Sequence, residues 1–204
     1  MTENSLNRFS ERVLEAARSD PDRIALVVND ESWSYGDLVS AALHIARQLP
    51  DVPDDAPQGV VAIMVDRRAS AYVALFAARL AGYAYVPLNA NHPCPRNLKI
   101  LQSCAAQSLI CGSGASEVLQ SILELSPEIE QSLQLINIGE RKAEFEIERS
   151  LLSHDLGLQR VVLDEDLVYI LFTSGSTGEP KGVPIQNAQL DSFLDAVGPI
   201  VDVQ

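Results

Sequence analysis

The chain has 204 residues, 47% of them hydrophobic, with 11 Gly, 11 Pro and a formal net charge of -13, an ordinary globular composition at a length for one domain or two small ones. So acidic a balance argues against nucleic acid and anionic membrane surfaces as partners, because both recruit clustered Lys and Arg. No apolar run approaches the ~18 to 20 residues that span a bilayer, and the polar start MTENSLNRFSERV lacks the basic region and apolar stretch of a secretory signal, so a cytoplasmic location is expected.

Leu6, Phe9, Val13, Leu14 and Ala17 recur at helical spacing and predict a first helix, which DPD ends before a short strand, IALVV. A turn follows at NDES. Ser34 with Asp37 three residues on has the form of a capping box, so Ser34 is expected to start the helix within WSYGDLVSAALHIARQL. Residues 50–59 are polar and Pro-rich and read as a loop, since the pattern resumes at once. From Val60 the chain alternates: strand VVAIMV, helix SAYVALFAARLA, strand YAYVPL, a helix around PRNLKILQSCAA, strand SLIC, helix SEVLQSILEL, strand LQLINI. Short strands that are apolar at consecutive positions, separated by amphipathic helices, describe parallel strands buried on both faces in an α/β layered architecture. Residues 139–160 are charged and poorly periodic and read as a surface excursion. Many of the acids fall in 117–166 and are expected to form a solvated face.

Cys94, Cys104 and Cys111 are odd in number and show no Cys-x-x-Cys spacing, which indicates reduced packing residues rather than disulfides or a zinc site. His44 and His154 read as surface or helix-flank residues, and Asn and Pro around His92 are explained by a turn. Asp66, Arg67 and Arg68 follow a strand end, where a ligand crevice can lie, but a surface ion-pair cluster is the simpler account. Tyr83 and Tyr85 read as packing residues.

The final predicted strand, LVYILFTS, delivers the chain into TSGSTGEPKG at residues 173–182. Glycine lets the backbone adopt positive φ and approach a ligand closely, and successive N–H groups in such a turn form a concave donor surface for an anion. Hydroxyls of Thr173, Ser174, Ser176 and Thr177 add donors, and Lys181 adds a full charge. A polyphosphate suits that set. The net charge is no obstacle, because the screening length is about 8 Å at 0.15 M salt. Each hydrogen bond to a charged group contributes ~1.5 to 3 kcal/mol. The segment does not fit G-x-x-x-x-G-K-[ST], since Lys181 is preceded by Pro180 and followed by Gly182.

The string TSGSTGEPKG resembles the signature loop of the adenylate-forming ligases, which include acyl-CoA synthetases, luciferases and the adenylation domains of nonribosomal peptide synthetases. It fills every specified position of T-S-G-[ST]-T-G-x-P-K-G. WSYGDL resembles the family's early Tyr-x-x-Leu helix start, and LAGYAYVPLNANHPCPR resembles an element of its amino-acid-activating members. The resemblance covers essentially the whole chain. It implies that a carboxylate attacks the α-phosphorus of ATP, releasing pyrophosphate and leaving an acyl-adenylate that a thiol takes up. It further implies that Thr173, Ser174, Gly175, Ser176, Thr177, Gly178 and Lys181 wrap the β- and γ-phosphates with their Mg2+ ion. AYVPL suggests an amino acid or other small carboxylate delivered to a carrier protein, with an acyl-CoA synthetase as the alternative.

Two departures matter. Many family members carry a histidine where this chain has Asn187, and the wording around it is similar to that of D-alanine to carrier-protein ligases. The adenine motif, the ribose-binding aspartate and the hinged C-terminal domain with its lysine have no counterpart in the 204 residues. The chain therefore resembles the N-terminal portion of an adenylation domain, with later subdomains and the lid domain absent. It is expected to be inactive alone and either truncated or completed by a second polypeptide. A non-catalytic remnant serving as an interaction or structural module stays open.

Overall fold

The computed structural model describes residues 7–52, 57–153, 162–174 and 179–197. Helix α1 (Arg8–Ser19) begins where the Asn7 side chain accepts the Ser10 N–H at 3.0 Å, and it turns Leu14 and Ala17 inward. Strand β1 (Ile24–Val28) pairs with an unforeseen strand, β2 (Glu31–Ser34), in a two-stranded antiparallel sheet. Asn29 and Asp30 between them have φ of 51° and 64°. They are among the few non-glycine residues that tolerate the left-handed pair a tight hairpin turn requires. ESWS carries no apolar alternation of its own, which is why only a turn was predicted there.

The capping box at Ser34 is present. The Asp37 N–H donates to Ser34 Oγ at 3.2 Å and the Ser34 N–H to Asp37 Oδ2 at 3.3 Å, starting α2 (Tyr35–Ala46). Beyond it lies a six-stranded sheet in the order β6-β5-β3-β4-β7-β8. Its strands are β3 (Val60–Met64), β4 (Ala84–Leu88), β5 (Ser108–Gly112), β6 (Gln134–Ile138), β7 (Leu167–Ser174) and β8 (Pro180–Gln186). All pairings are parallel except β7 with β8, which form a hairpin.

The helices α3 (Ala69–Leu80), α4 (Cys94–Cys104), α5 (Ser116–Leu125), the short α6 (Glu128–Ser132) and α7 (Asn187–Val197) complete the order. Period-two geometry explains the consecutive apolar residues. Val61, Ile63 and Ile110 join one core with α1, α2 and α3. Ala62, Met64, Leu109 and Cys111 join a second core with α4, α5 and Ile129 of α6 on the other face.

The predicted excursion is less detached than its composition suggests. It contains short 3-10 turns at Lys142–Glu144 and Arg149–Ser153, and residues 154–160, including His154, lie outside the described set. Phe145 meets the buried Trp33 edge-on at 5.3 Å between centroids. The Glu148 N–H donates to Ser40 Oγ at 2.5 Å. Asp37, whose side chain is 6% exposed, pairs with Lys142 and with Arg149 Nη2 at 2.8 Å. The N-cap carboxylate of α2 is thereby the hub that fastens the excursion.

Burial pushes the Asp37 carboxyl up, but hydrogen bonds from Lys142, Arg149 and Ser34 outweigh it and hold the pKa at about 2, below the ordinary carboxylate range. A depressed carboxylate contributes stability above its unfolded pKa and loses it as pH falls through the folded value. Asp37→Asn is therefore expected to cost about 1–3 kcal/mol at pH 7. By denaturant titration, the difference from wild type should shrink as pH drops from about 4 towards about 2. A second expectation concerns the thiols. Burial raises Cys104 and pushes Cys111 up to about 11, whereas Cys94 is only half-buried. Thiol titration of the native chain at pH 8 should label Cys94 alone, the other two reacting only after unfolding.

Candidate functional site

Strand β7 runs from a covered end to an exposed one. Val168 is 3% exposed, Ile170 and Phe172 pack against the second core, and Thr173 is exposed. The hairpin register sets Thr173 opposite Lys181 and Ser174 opposite Pro180, so the two ends of the signature string face each other. Thr173 Oγ1 donates to the Lys181 carbonyl at 3.4 Å. Of the predicted phosphate residues, Thr173, Ser174 and Lys181 are thus brought together. Gly175, Ser176, Thr177 and Gly178 lie outside the described residues.

The return strand was not foreseen, because PKGVPIQ opens with a proline and lacks alternation. Both features suit an exposed edge strand. At Gly182 a Cβ would come within 3.0 Å of Ile170 Cγ2 and 3.3 Å of Phe172 Cζ, so a bare backbone lets β8 lie against those side chains. Lys99 of α4 reaches Glu179 at 2.7 Å, and with side chains 48% and 65% exposed this pair contributes under about 1 kcal/mol.

Hydroxyl, amide and ammonium donors at this turn suit phosphate oxygens. No group of three or more His, Cys, Asp or Glu able to hold a metal occurs among the described residues. Magnesium commonly enters a site through one or two carboxylates and the substrate's phosphates. The donor set fits an ion carried in by a polyphosphate.

The opposite end of the hairpin is held by a polar knot. Arg79, in the last turn of α3, is 3% exposed. Its Nη1 donates to the carbonyls of Tyr83 and Leu167, each at 3.0 Å, and its Nη2 to Asn187 Oδ1 at 2.7 Å. Gln58 donates from Nε2 to the same Leu167 carbonyl at 2.9 Å and accepts the Leu167 N–H at 2.7 Å. Asn187, 4% exposed, donates from Nδ2 to the Leu163 carbonyl at 2.8 Å. Burial lowers the Arg79 pKa to about 10, with the charges of Tyr85 and Asp166 pulling the other way, so the guanidinium stays charged at neutral pH. Sequence reasoning passed over Arg79, although a lone cation within the apolar SAYVALFAARLA was a signal. Gly82, at φ 74°, ends α3 just past Arg79.

The other residues weighed from the sequence fall outside this site. His44 pairs with Glu146 at 3.2 Å on the surface, and His92 sits in a turn with its N–H on the Asn89 carbonyl at 2.9 Å. Of Asp66, Arg67 and Arg68, Arg68 pairs with Glu140 at 3.3 Å, and Glu140 also accepts the Gly114 N–H at 2.5 Å. Tyr83 is buried with its hydroxyl on the Pro50 carbonyl at 2.7 Å, and Tyr85 stacks on Tyr169 at 5.4 Å. That ring pair borders an apolar groove of about 430 Å3 that Phe9, Val13 and Leu190 also line. The groove meets β7 at Val168 and Tyr169, remote from the signature turn by roughly 17 Å at ~3.3 Å per residue. Among the described residues no helix is long and apolar enough to cross a membrane.

Comparison with known proteins bears on the family and the fold. Zwittermicin A synthase ZmaJ of Bacillus cereus is 30% identical over 187 residues, a match covering 92% of this chain and 32% of that protein. The D-alanine–D-alanyl carrier protein ligase of Bacillus licheniformis is 31% identical over 195 residues, covering 92% of this chain and 34% of the ligase. The chain thus spans about a third of the length of these relatives. The crystal structure of the Vibrio cholerae adenylation domain AlmE, in complex with glycyl-adenosine-5'-phosphate, superposes with a TM-score of 0.72 at 21% identity. That match covers 100% of this chain and 39% of AlmE, and it supports the fold alone. The model of a family described as AMP-binding enzyme matches residues 13–202. Nearly the entire chain, from the second turn of α1 to beyond α7, is accounted for by that match, and the chain belongs to the AMP-binding enzymes, the adenylate-forming family its signature string resembles.

Proposed function

We propose that the chain is the N-terminal portion of an ATP-dependent ligase that adenylates an amino acid or similar small carboxylate for transfer to a carrier-protein thiol. Its part is to hold the β- and γ-phosphates of ATP. The observation that carries this reading is the register of the hairpin, which sets Thr173 against Lys181 at the exposed end of β7. In the proposal Thr173, Ser174, Gly175, Ser176, Thr177 and Gly178 donate hydroxyl and amide hydrogens to phosphate oxygens, and Lys181 supplies a compact positive charge.

Such fixed donors favour the departing pyrophosphate, whose charge grows as the carboxylate attacks the α-phosphorus. Magnesium, when bound, neutralises part of the same charge. The similarity to the D-alanine ligase favours a carrier protein as the thiol source. Groups that handle adenine, ribose and the acyl substrate would come from further sequence, in the same chain or in a second polypeptide, working in the cytoplasm.

Amino-acid-dependent exchange between ATP and pyrophosphate is the direct test. The isolated 204 residues are expected to give none. Exchange should appear when the segment that follows the match in a related ligase is supplied, fused or as a separate chain. In that complemented enzyme Lys181→Ala should raise the KM for ATP about 10- to 100-fold, the loss of one charge-assisted contact. Exchange by the isolated chain would overturn the division of labour, and none in either form would favour the non-catalytic remnant.

A further inference from the structure

The hairpin that carries the signature string is joined to the rest of the sheet by little backbone pairing. Strand β4 registers with β7 at Tyr85 and Tyr169 alone among the described residues. Pro87, two positions further along β4, has no N–H with which to extend a ladder. By contrast β3 registers with β4 over five pairs and β5 with β6 over five. Something else must hold β7 and β8 at a fixed height against the sheet.

We infer that Arg79 and Asn187 are positioning residues that clamp the base of this hairpin and so fix the turn at its tip. Arg79 grips both strands' roots at once, through the Leu167 carbonyl at the start of β7 and the side chain of Asn187 directly after β8. Asn187 closes the loop by donating to Leu163, which precedes β7, and its own N–H bonds the Asp166 carbonyl at 3.0 Å. The clamp is buried on both sides, with Arg79 3% and Asn187 4% exposed. A guanidinium in such a place is costly to leave without acceptors, because its desolvation is not recovered elsewhere. Rotation of the hairpin would pull Leu167 and Asn187 off Arg79 together, and that shared loss opposes the motion.

The clamp also specifies what position 187 must provide, namely one acceptor towards Arg79 and one donor towards Leu163. The asparagine amide meets both demands. A neutral imidazole does too, with one ring nitrogen accepting and the other donating. Aspartate offers only acceptors, and alanine offers neither. The rule concerns hydrogen-bond polarity rather than size or charge, and it requires a histidine at this position to stay neutral beside the guanidinium.

This inference rests on the reading that the turn binds phosphates only for its consequence, since the clamp itself can be measured without a ligand. Amide hydrogen exchange across the sheet of the full chain, wild type, Asn187→Ala and Asn187→His, is the experiment. Asn187→Ala is expected to speed exchange in β7 and β8 by at least about tenfold, the loss of one charge-assisted bond, with β3 and β5 unchanged. Asn187→His should stay close to wild type. Arg79→Lys, which cannot span the acceptors with a single ammonium, should behave like Asn187→Ala and carries the comparison if that variant does not fold. Unchanged hairpin rates in Asn187→Ala or Arg79→Lys would overturn the clamp, and so would an acceleration spread evenly over β3 and β5. Magnesium pyrophosphate titrated in parallel should shift the amides of the turn in wild type and bind at least about tenfold more weakly to Asn187→Ala. A wild-type turn that ignores the probe counts against the phosphate reading, while the exchange rates still decide the clamp.

Discussion

The constraint on which the rest depends is that β3 and β5 are covered on both faces. A strand with no solvent side must be apolar at consecutive positions, and its neighbours must be parallel strands returned by helices that lie on alternate faces. Ala62 and Met64 face one core while Val61 and Ile63 face the other. Once that is settled, the carboxyl ends of the parallel strands share one edge of the sheet, and polar loops gather there because the faces have no room for them. The end of β7 at Thr173 and Ser174, paired with Lys181 and Pro180, belongs to that edge.

Charge acts here through its placement rather than its total. The acidic excess is dispersed over exposed surface, where solvent and salt weaken it. The consequential ionic groups are the buried ones. Asp37 serves two structures at once, capping α2 and receiving Lys142 and Arg149 from a segment more than a hundred positions away in the chain. Arg79 does the corresponding work on the hairpin by donating to carbonyl and amide oxygens. Each makes many bonds from one desolvated charge, so each couples elements that no continuous backbone ladder joins.

These patterns explain what could be read from residues alone. The strand IALVV and the helix SEVLQSILEL were recovered at their observed bounds, because a short apolar run between turns and a 3.6-residue apolar pattern are local properties of the chain. The capping box was legible for the same reason. Strand β2 and strand β8 were missed, since ESWS and PKGVPIQ become strands through a partner and not through any pattern of their own. The same holds for the excursion. Its charges look like a solvated face until Phe145 is seen against Trp33 and Arg149 against Asp37. At the site the proposed phosphate residues were singled out by an ordered string, whereas the groups that bond the root of the hairpin, Arg79 and Gln58, come from distant positions and no spacing announces them.

The gradient along β7 joins these observations. A phosphate-holding turn has two opposed needs, open donors for a hydrated anion and a backbone that does not move when the anion arrives. Burial satisfies the second need and defeats the first. The strand separates them in space, with Val168 covered and Leu167 gripped at one end, and Thr173 and Lys181 open to solvent at the other. Between them Ile170 and Phe172 rest on the second core, and Gly182 lets β8 approach them closely. Stiffness is therefore imported from the buried root and delivered to an exposed tip. For that reason Thr173 and Lys181 can stand open to solvent on a hairpin whose root is fixed.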